Sequence, residues 1–233
     1  MGAVSRYDYE YLRYYTGVKN LKLISSFSGF YTKGHKYKPT IPEILVMSRT
    51  QLKTELESYQ GNISFKGIHS LYPRYSLDNL VSHRAIIFEP YSVMSFKFTE
   101  YYSLSIPLFV PSATYFRKAG SIGSDRTSTS PPYCNKDKDL WHKMPRHLKS
   151  ANKYNPNAEF GDDPESAMFW LQFSDFYDWP HVQFFHDVED LVAKLASTDF
   201  VALNRAMVKE NEIRKNVLLG QWCEIIKNIP DFH

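Results

Sequence analysis

Short apolar runs separated by helix-length or turn-length segments set the rhythm of this chain. Leu21 to Phe27 is the first strand candidate. Glu43-Ile-Leu-Val-Met-Ser48, Asn62-Ile-Ser-Phe-Lys-Gly67, Arg84-Ala-Ile-Ile-Phe-Glu89, Ile106 to Val110 and Val182 to Phe185 follow it. Most are continuous rather than alternating, as in strands covered on both faces. Between them the spacing predicts a helix from Gln51 to Tyr59, a helical turn from Ser76 to Val81 with Ser76 as N-cap, and a helix from Ser92 to Leu104. Tyr7 to Tyr15 reads as an earlier short helix ended by Gly17, and Ser166 to Phe176 as an aromatic one. Asp187 to Ala196 and Asp199 to Ile226 close the chain, the last with Leu203, Met207, Val217, Leu218 and Trp222 as its packed face. Continuous strands bounded by helices indicate parallel strands with crossover connections, an α/β fold.

Two regions emerge. Residues 1–40 form an N-terminal helix/strand segment and a polar link, and residues 41–233 form one larger domain. The pattern breaks in a long loop at about 118–164, rich in Gly, Ser, Thr, Pro, Asn, Lys and Asp, with few apolar residues besides Leu140, Trp141 and Met144. So long a loop is uncommon inside a compact domain, and disorder or surface decoration is expected. At its end Asp162, Asp163 and Glu165 cluster. They are adjacent, follow no apolar strand and surround a helix-starting Pro164, so they read as helix N-terminal acids rather than an Asp-x-Asp metal clasp. His181 and His186 lack a third ligand at metal-like spacing, and Asp175, Asp178 and His181 are interrupted by the turn-forming Trp179-Pro180. No metal is predicted.

Composition narrows the class. With 43% hydrophobic residues in 233, the chain can bury a substantial core. The 17 Tyr supply rings whose hydroxyls seek partners, suited to a core margin or a groove. A formal charge of +3, spread along the chain, gives no reason to expect a nucleic-acid partner. Two cysteines, Cys134 and Cys223, exclude a disulfide scaffold and read as reduced thiols of a cytoplasmic protein. No segment is apolar and long enough to span a bilayer, and no apolar leader precedes Arg13. Walker, Gly-x-Ser-x-Gly and Gly-x-Gly-x-x-Gly signatures are all missing from the sequence, which leaves ATPase, hydrolase and dinucleotide oxidoreductase readings without support.

One stretch has a familiar order. It runs Phe65-Lys-Gly67, Tyr75-Ser-Leu-Asp-Asn-Leu80, Ala85-Ile-Ile-Phe-Glu-Pro-Tyr-Ser92, Phe98-Thr-Glu-Tyr-Tyr102 and Ser105-Ile-Pro-Leu-Phe-Val-Pro-Ser112. This order resembles the C-terminal, nucleotide-sugar-binding half of GT-B glycosyltransferases, with a strand closed by glycine, a short helix, a strand, a Pro/Ser loop, a glutamate-bearing helix and a small-Pro-hydrophobic strand. His186-Asp-Val-Glu-Asp-Leu191 and the long helix to Ile226 resemble the family's closing elements. The resemblance implies a Rossmann-like, mostly parallel sheet flanked by helices. It also implies a ribose contact at Glu100, and a diphosphate held by Arg49 and Lys53, with the spacing about one residue short. The chemistry agrees with that reading: a loop entering a helix N-terminus presents unpaired N–H groups, and ligands of open α/β sheets bind at the C-terminal strand ends. Tyr91, Ser92 and Ser95 stand at that entrance, Ser92 on the same helix face as Glu100, and Lys97 adds a cation one turn before Glu100.

The sequence departs from the family where retaining members often carry a second glutamate, eight positions before the ribose one; residue 92 is serine. Glu89, at a strand end, is the catalytic candidate that faces the sugar instead. Phe88-Glu89 followed by Thr99-Glu100 is also similar to a fucosyltransferase pattern. The expected function is transfer of a sugar from a nucleotide-sugar donor to a glycan or other acceptor, without metal or further cofactor. A small complete transferase, half of an enzyme completed by a partner subunit, and a non-catalytic nucleotide-sugar-binding or protein-interaction module all remain open, as does a homo-oligomer.

Overall fold

The apolar runs pair side by side. A computed structural model of the chain describes residues 2–93, 95–119, 153–156 and 163–228. First come β1 (Gly2–Ala3), α1 (Arg6–Thr16) and β2 (Lys22–Leu23). Then follow β3 (Ile44–Met47), α2 (Gln51–Glu57), β4 (Phe65–Gly67), α3 (Ile68–Leu71), α4 (Leu77–Val81) and β5 (Ile86–Phe88). Next are α5 (Phe96–Ser103), β6 (Leu108–Pro111) and α6 (Ala113–Ala119). The last group is α7 (Pro164–Leu171), α8 (Asp175–Asp178), β7 (Gln183–Phe185), α9 (Val188–Ser197) and α10 (Phe200–Lys227). Most of the loop expected at 118–164, including Cys134 and Asp162, lies outside the described residues.

Five strands form one sheet in the order β4-β3-β5-β6-β7, and every neighbouring pair is parallel. The α/β expectation is met: this is a Rossmann-like sheet with helices on both faces. Counted within the sheet, the order is 2-1-3-4-5, that of doubly wound flavodoxin-like folds. The chain builds outward from β3 to β4, then crosses back to lay β5 on β3's other edge. Side chains alternate across the strands. Ile44, Val46, Ile87, Phe109 and Phe185 join Leu52 and Leu56 of α2 and Leu191 and Leu195 of α9 in one buried cluster. Leu45, Ile86, Phe88, Leu108 and Val110 point the other way, into a larger cluster with α5, α7 and α8. Continuous apolar strands were the sequence signal for this double burial.

Phe98 of α5 sits at the centre of the larger cluster and is fully buried. Its ring lies 5.8 Å from Phe88, 5.9 Å from Tyr102, 6.2 Å from Phe176 and 5.3 Å from Trp179. The N-terminal segment is fastened to the same side of the molecule. There Trp170 of α7 packs against Tyr7 and Tyr14 of α1 at 5.8 and 5.5 Å. The short strands β1 and β2 pair with each other in a separate parallel sheet.

Several boundaries differ from the sequence reading. The helix expected from Ser92 begins only at Phe96, with Ser95 extended (φ −147°) as its N-cap. The chain uses the intervening residues to turn from the end of β5 back over the sheet, so Ser92 lies outside the helix and shares no helix face with Glu100. The helix expected from Ser166 to Phe176 is two. Buried Ser174 donates its hydroxyl to Leu171 O at 2.6 Å, closing α7 and starting α8. Asp163 caps α7 by accepting from Ser166 N at 3.1 Å, as expected of a helix N-terminal acid. The strand expected over Leu21 to Phe27 is reduced to the two residues of β2. In α10 Met207 is buried, but Val217 and Trp222 of the expected packed face are exposed. Past Asn211, whose Nδ2 donates to Tyr102 O at 2.8 Å, this helix has passed the sheet and touches the N-terminal segment instead, with Gln221 Nε2 donating to Leu23 O at 2.9 Å. Among the described residues, no helix is long and apolar enough to cross a membrane.

If the ring cluster around Phe98 holds α5 on the sheet, Phe98→Ala should cost about 3–5 kcal/mol in urea unfolding, the usual loss for a buried phenylalanine. A loss under about 1 kcal/mol, the scale of a surface change, would show that α5 is held elsewhere.

Candidate functional site

Beyond the carboxyl ends of β3 and β5 the chain parts to opposite faces of the sheet and leaves a cleft of about 280 Å³. Its inner wall begins with a backbone bond, in which Glu89 N–H donates to Met47 O at 2.9 Å and brings the residues after both strands level. Glu89 is 6% exposed, although it is the first residue beyond a fully buried strand. Two hydroxyls satisfy it. Ser48 and Thr50 both donate to Oε2, Thr50 at 2.6 Å. The same two residues organise the start of α2: Ser48 Oγ accepts from Thr50 N–H at 3.1 Å, and Thr50 Oγ1 accepts from Leu52 N–H at 3.2 Å. One Ser-x-Thr turn therefore caps a helix and clasps a carboxylate. Burial raises the Glu89 carboxyl above its ordinary value, and the bonds from Ser48 and Thr50 oppose that rise.

Aromatic and basic side chains form the other walls. His69 comes from α3, and Tyr75 stands directly before the capping box of α4, in which Ser76 and Asn79 bond each other reciprocally. The His69 and Tyr75 rings lie 5.7 Å apart. Lys97, in the first turn of α5, holds its ammonium 5.5 Å from the Tyr75 ring centroid and donates to Glu100 Oε2 at 2.7 Å. Burial alone would lower the Lys97 ammonium, but its bonds to Glu100 and Tyr75 outweigh that and raise it, so it stays charged. Arg49 is exposed at the cleft and, among the described residues, has no carboxylate partner. Tyr91 is 44% exposed beside it.

Four of the residues singled out from the sequence thus meet in one cleft: Arg49, Glu89, Tyr91 and Lys97. Glu100 is joined to them through Lys97. Lys53 is not: it lies over Gly67, with its ammonium 3.8 Å from Glu57 on the outer side of α2. Ser92 and Ser95 line a separate cavity of about 120 Å³, on the other side of the segment that carries Tyr91 and Lys97. Sequence reasoning missed Ser48, Thr50, His69 and Tyr75. A signal existed for the first two, since an acid ending a buried strand needs donors, and Ser48-x-Thr50 ends the neighbouring strand run. Nothing in the sequence pairs His69 with Tyr75. Among the described residues, no group of three or more His, Cys, Asp or Glu side chains is placed to hold a metal ion.

Because burial favours the protonated form, Glu89 binds its proton more tightly in the folded state than in the unfolded one. Its ionisation therefore reduces stability as pH rises above the ordinary value of 4.5. Glu89→Gln keeps an acceptor for Ser48 and Thr50 and carries no charge. The variant should melt above wild type at pH 7, and the gap should close as pH falls toward 4.5. An equal or lower melting temperature for Glu89→Gln at pH 7 would mean that the carboxylate is fully compensated in the cleft. The chain matches no protein-family model, no curated protein and no solved structure, so its function must be argued from the chemistry of this cleft.

Proposed function

We propose that the chain binds a nucleotide-sugar in the cleft between β3 and β5 and acts as a glycosyltransferase, or as the donor half of one. The observation that carries the reading is the position of the cleft: it lies at the carboxyl ends of the strands where their order reverses, the place where open α/β sheets bind ligands. Its side chains suit the parts of such a donor. The Arg49 guanidinium, without a carboxylate partner among the described residues, can fork two diphosphate oxygens, and Lys97 adds a second positive charge. Tyr75 and His69 offer ring faces to a base, and Glu100, behind Lys97, is the ribose candidate that the GT-B resemblance implies. Glu89 is left for the sugar. In the reaction the bond from the anomeric carbon to the diphosphate oxygen breaks, with its electron pair leaving on the nucleoside diphosphate. An acceptor hydroxyl forms the new bond to that carbon and passes its proton to the Glu89 carboxylate, which lines the cleft. Arg49 and Lys97 would stabilise the charge that builds on the leaving group, with no metal required for that task.

A second reading, a protein-interaction module, draws on the exposed apolar side chains of α10, among them Val201, Val208, Ile213, Val217 and Trp222. It predicts no nucleotide binding.

A thermal-shift titration with UDP-, GDP-, dTDP- and ADP-linked sugars separates the two. Donor at about a hundred times its dissociation constant should stabilise the fold by roughly 2.7 kcal/mol. Arg49→Ala should weaken the preferred nucleotide by about tenfold to a hundredfold, the loss expected for a hydrogen bond to a charged group. If no nucleotide shifts the folded wild type, or Arg49→Ala binds as wild type does, the donor reading fails.

A further inference from the structure

The segment from Tyr91 to Lys97 has two sides. Tyr91 and Lys97 face the cleft, whereas Ser92, Ser95 and Phe96 line the smaller cavity of about 120 Å³. That cavity is closed by Val4 and Ser26 of the N-terminal segment, by Thr99 of α5 and by Asp175 of α8. Ser26 is placed there by β-type pairing, its N–H donating to Val4 O at 2.9 Å.

Two polar groups in this cavity are costly in the free protein. The Ser95 hydroxyl is buried, with the residue 4% exposed, and has no hydrogen-bond partner among the described residues. It is an N-cap residue whose side chain does not cap its helix. The Asp175 carboxyl is also 4% exposed. Burial pushes it up to about 7, against the opposing pull of Arg214, with Asp178 and Asp8 adding to the rise. Arg214, in turn, lies over the Trp179 ring at 3.5 Å. By contrast Thr99 is satisfied, donating to Phe96 O and sharing a bond with Ser28, both at 2.9 Å. Buried polar groups are normally paired, and a hydroxyl left orphaned beside a carboxyl in a cavity is a mark of a ligand's place.

The lining selects the ligand. Among the described residues no Lys or Arg lines the cavity, so a phosphate finds no cation there. Burial works against the charged form of Asp175 even with Arg214 near, so the site favours a neutral partner over a cation. What remains is a neutral group with several hydroxyls, able to donate to Asp175 and to accept from Ser95. Phe96, 72% exposed at the rim, presents a flat apolar face, and Val4 at 47% exposure forms the opposite edge. We propose that this cavity binds a sugar ring, on the side of the Tyr91–Lys97 segment away from the donor cleft. Binding of the ring does not rest on the donor reading above.

The test is ligand-observed NMR of the whole chain with methyl glycosides of glucose, galactose, mannose, xylose and fucose, in parallel with nucleotide titration. At least one glycoside should bind the wild type. Ser95→Ala and Phe96→Ala should each weaken it about fivefold to tenfold, the loss of roughly one neutral contact. Arg49→Ala should leave the glycoside unaffected. Ser95→Ala removes an unsatisfied hydroxyl, so it should melt at or above the wild-type temperature while losing ligand, which separates binding from folding. The proposal is overturned if no glycoside binds the folded protein, or if both variants bind as wild type does. It is also overturned if inorganic phosphate displaces the glycoside. Glycoside binding without nucleotide binding upholds this site and overturns the donor reading; nucleotide binding without glycoside binding leaves the donor cleft and overturns this site.

Discussion

Where β3 and β5 lie side by side, Met47 stands opposite Phe88, and the chain leaves the two strands toward opposite faces of the sheet. After β3 it enters α2, whose Leu52 and Leu56 pack on one face; after β5 it enters α5, whose Phe98, Tyr101 and Tyr102 pack on the other. Two loops that part in this way cannot fill the space between them, and the cleft is that space. The pairing also fixes its chemistry. Met47 and Phe88 are level, so Ser48 and Glu89 emerge together, and the Glu89 amide bonds back to Met47 O at 2.9 Å. A slip of one residue would exchange which of Ile86, Ile87 and Phe88 faces each core cluster and part Glu89 from Ser48.

Both carboxyls at the two cavities, Glu89 and Asp175, are held in places that disfavour their charged form. Glu89 is compensated by two hydroxyls, whereas Asp175 has the field of Arg214 and a bond to Trp179. Desolvated acids beside cavities are a frequent signature of sites kept for binding or chemistry. The aromatic core around Phe98 gives the rigidity against which such costs are tolerated, since it holds α5 and therefore both sides of the Tyr91–Lys97 segment.

Much of the fold was legible because buried parallel strands announce themselves as unbroken apolar runs. Ile44–Met47, Ile86–Phe88 and Leu108–Pro111 lie within or beside the runs read from the sequence, as do the caps Ser76, Asp187 and Asp199. Less was legible where tertiary contacts decide. Ser92 has the composition of a helix start, but the turn off β5 delays α5 to Phe96. The packed face of α10 cannot be read from its own periodicity, because its second half leaves the sheet. At the site, strand ends placed Arg49, Glu89, Tyr91 and Lys97 near one another from sequence alone. Lys53 failed to join them because one turn of α2 carries it over Gly67. Ser92 and Ser95 fell on the opposite side of their loop, and Asp175, distant in sequence, met them only through the packing of α8.

Backbone hydrogen exchange with and without the UDP-, GDP-, dTDP- and ADP-linked sugars reports where a ligand sits. A nucleotide-sugar bound in the cleft should slow exchange in three separate segments, Met47 to Thr50, Ile68 to Tyr75 and Glu89 to Lys97, and leave the second half of α10 unchanged. Protection confined to α10 and the N-terminal segment, or none in any of the three, would contradict a donor site at the junction of β3 and β5.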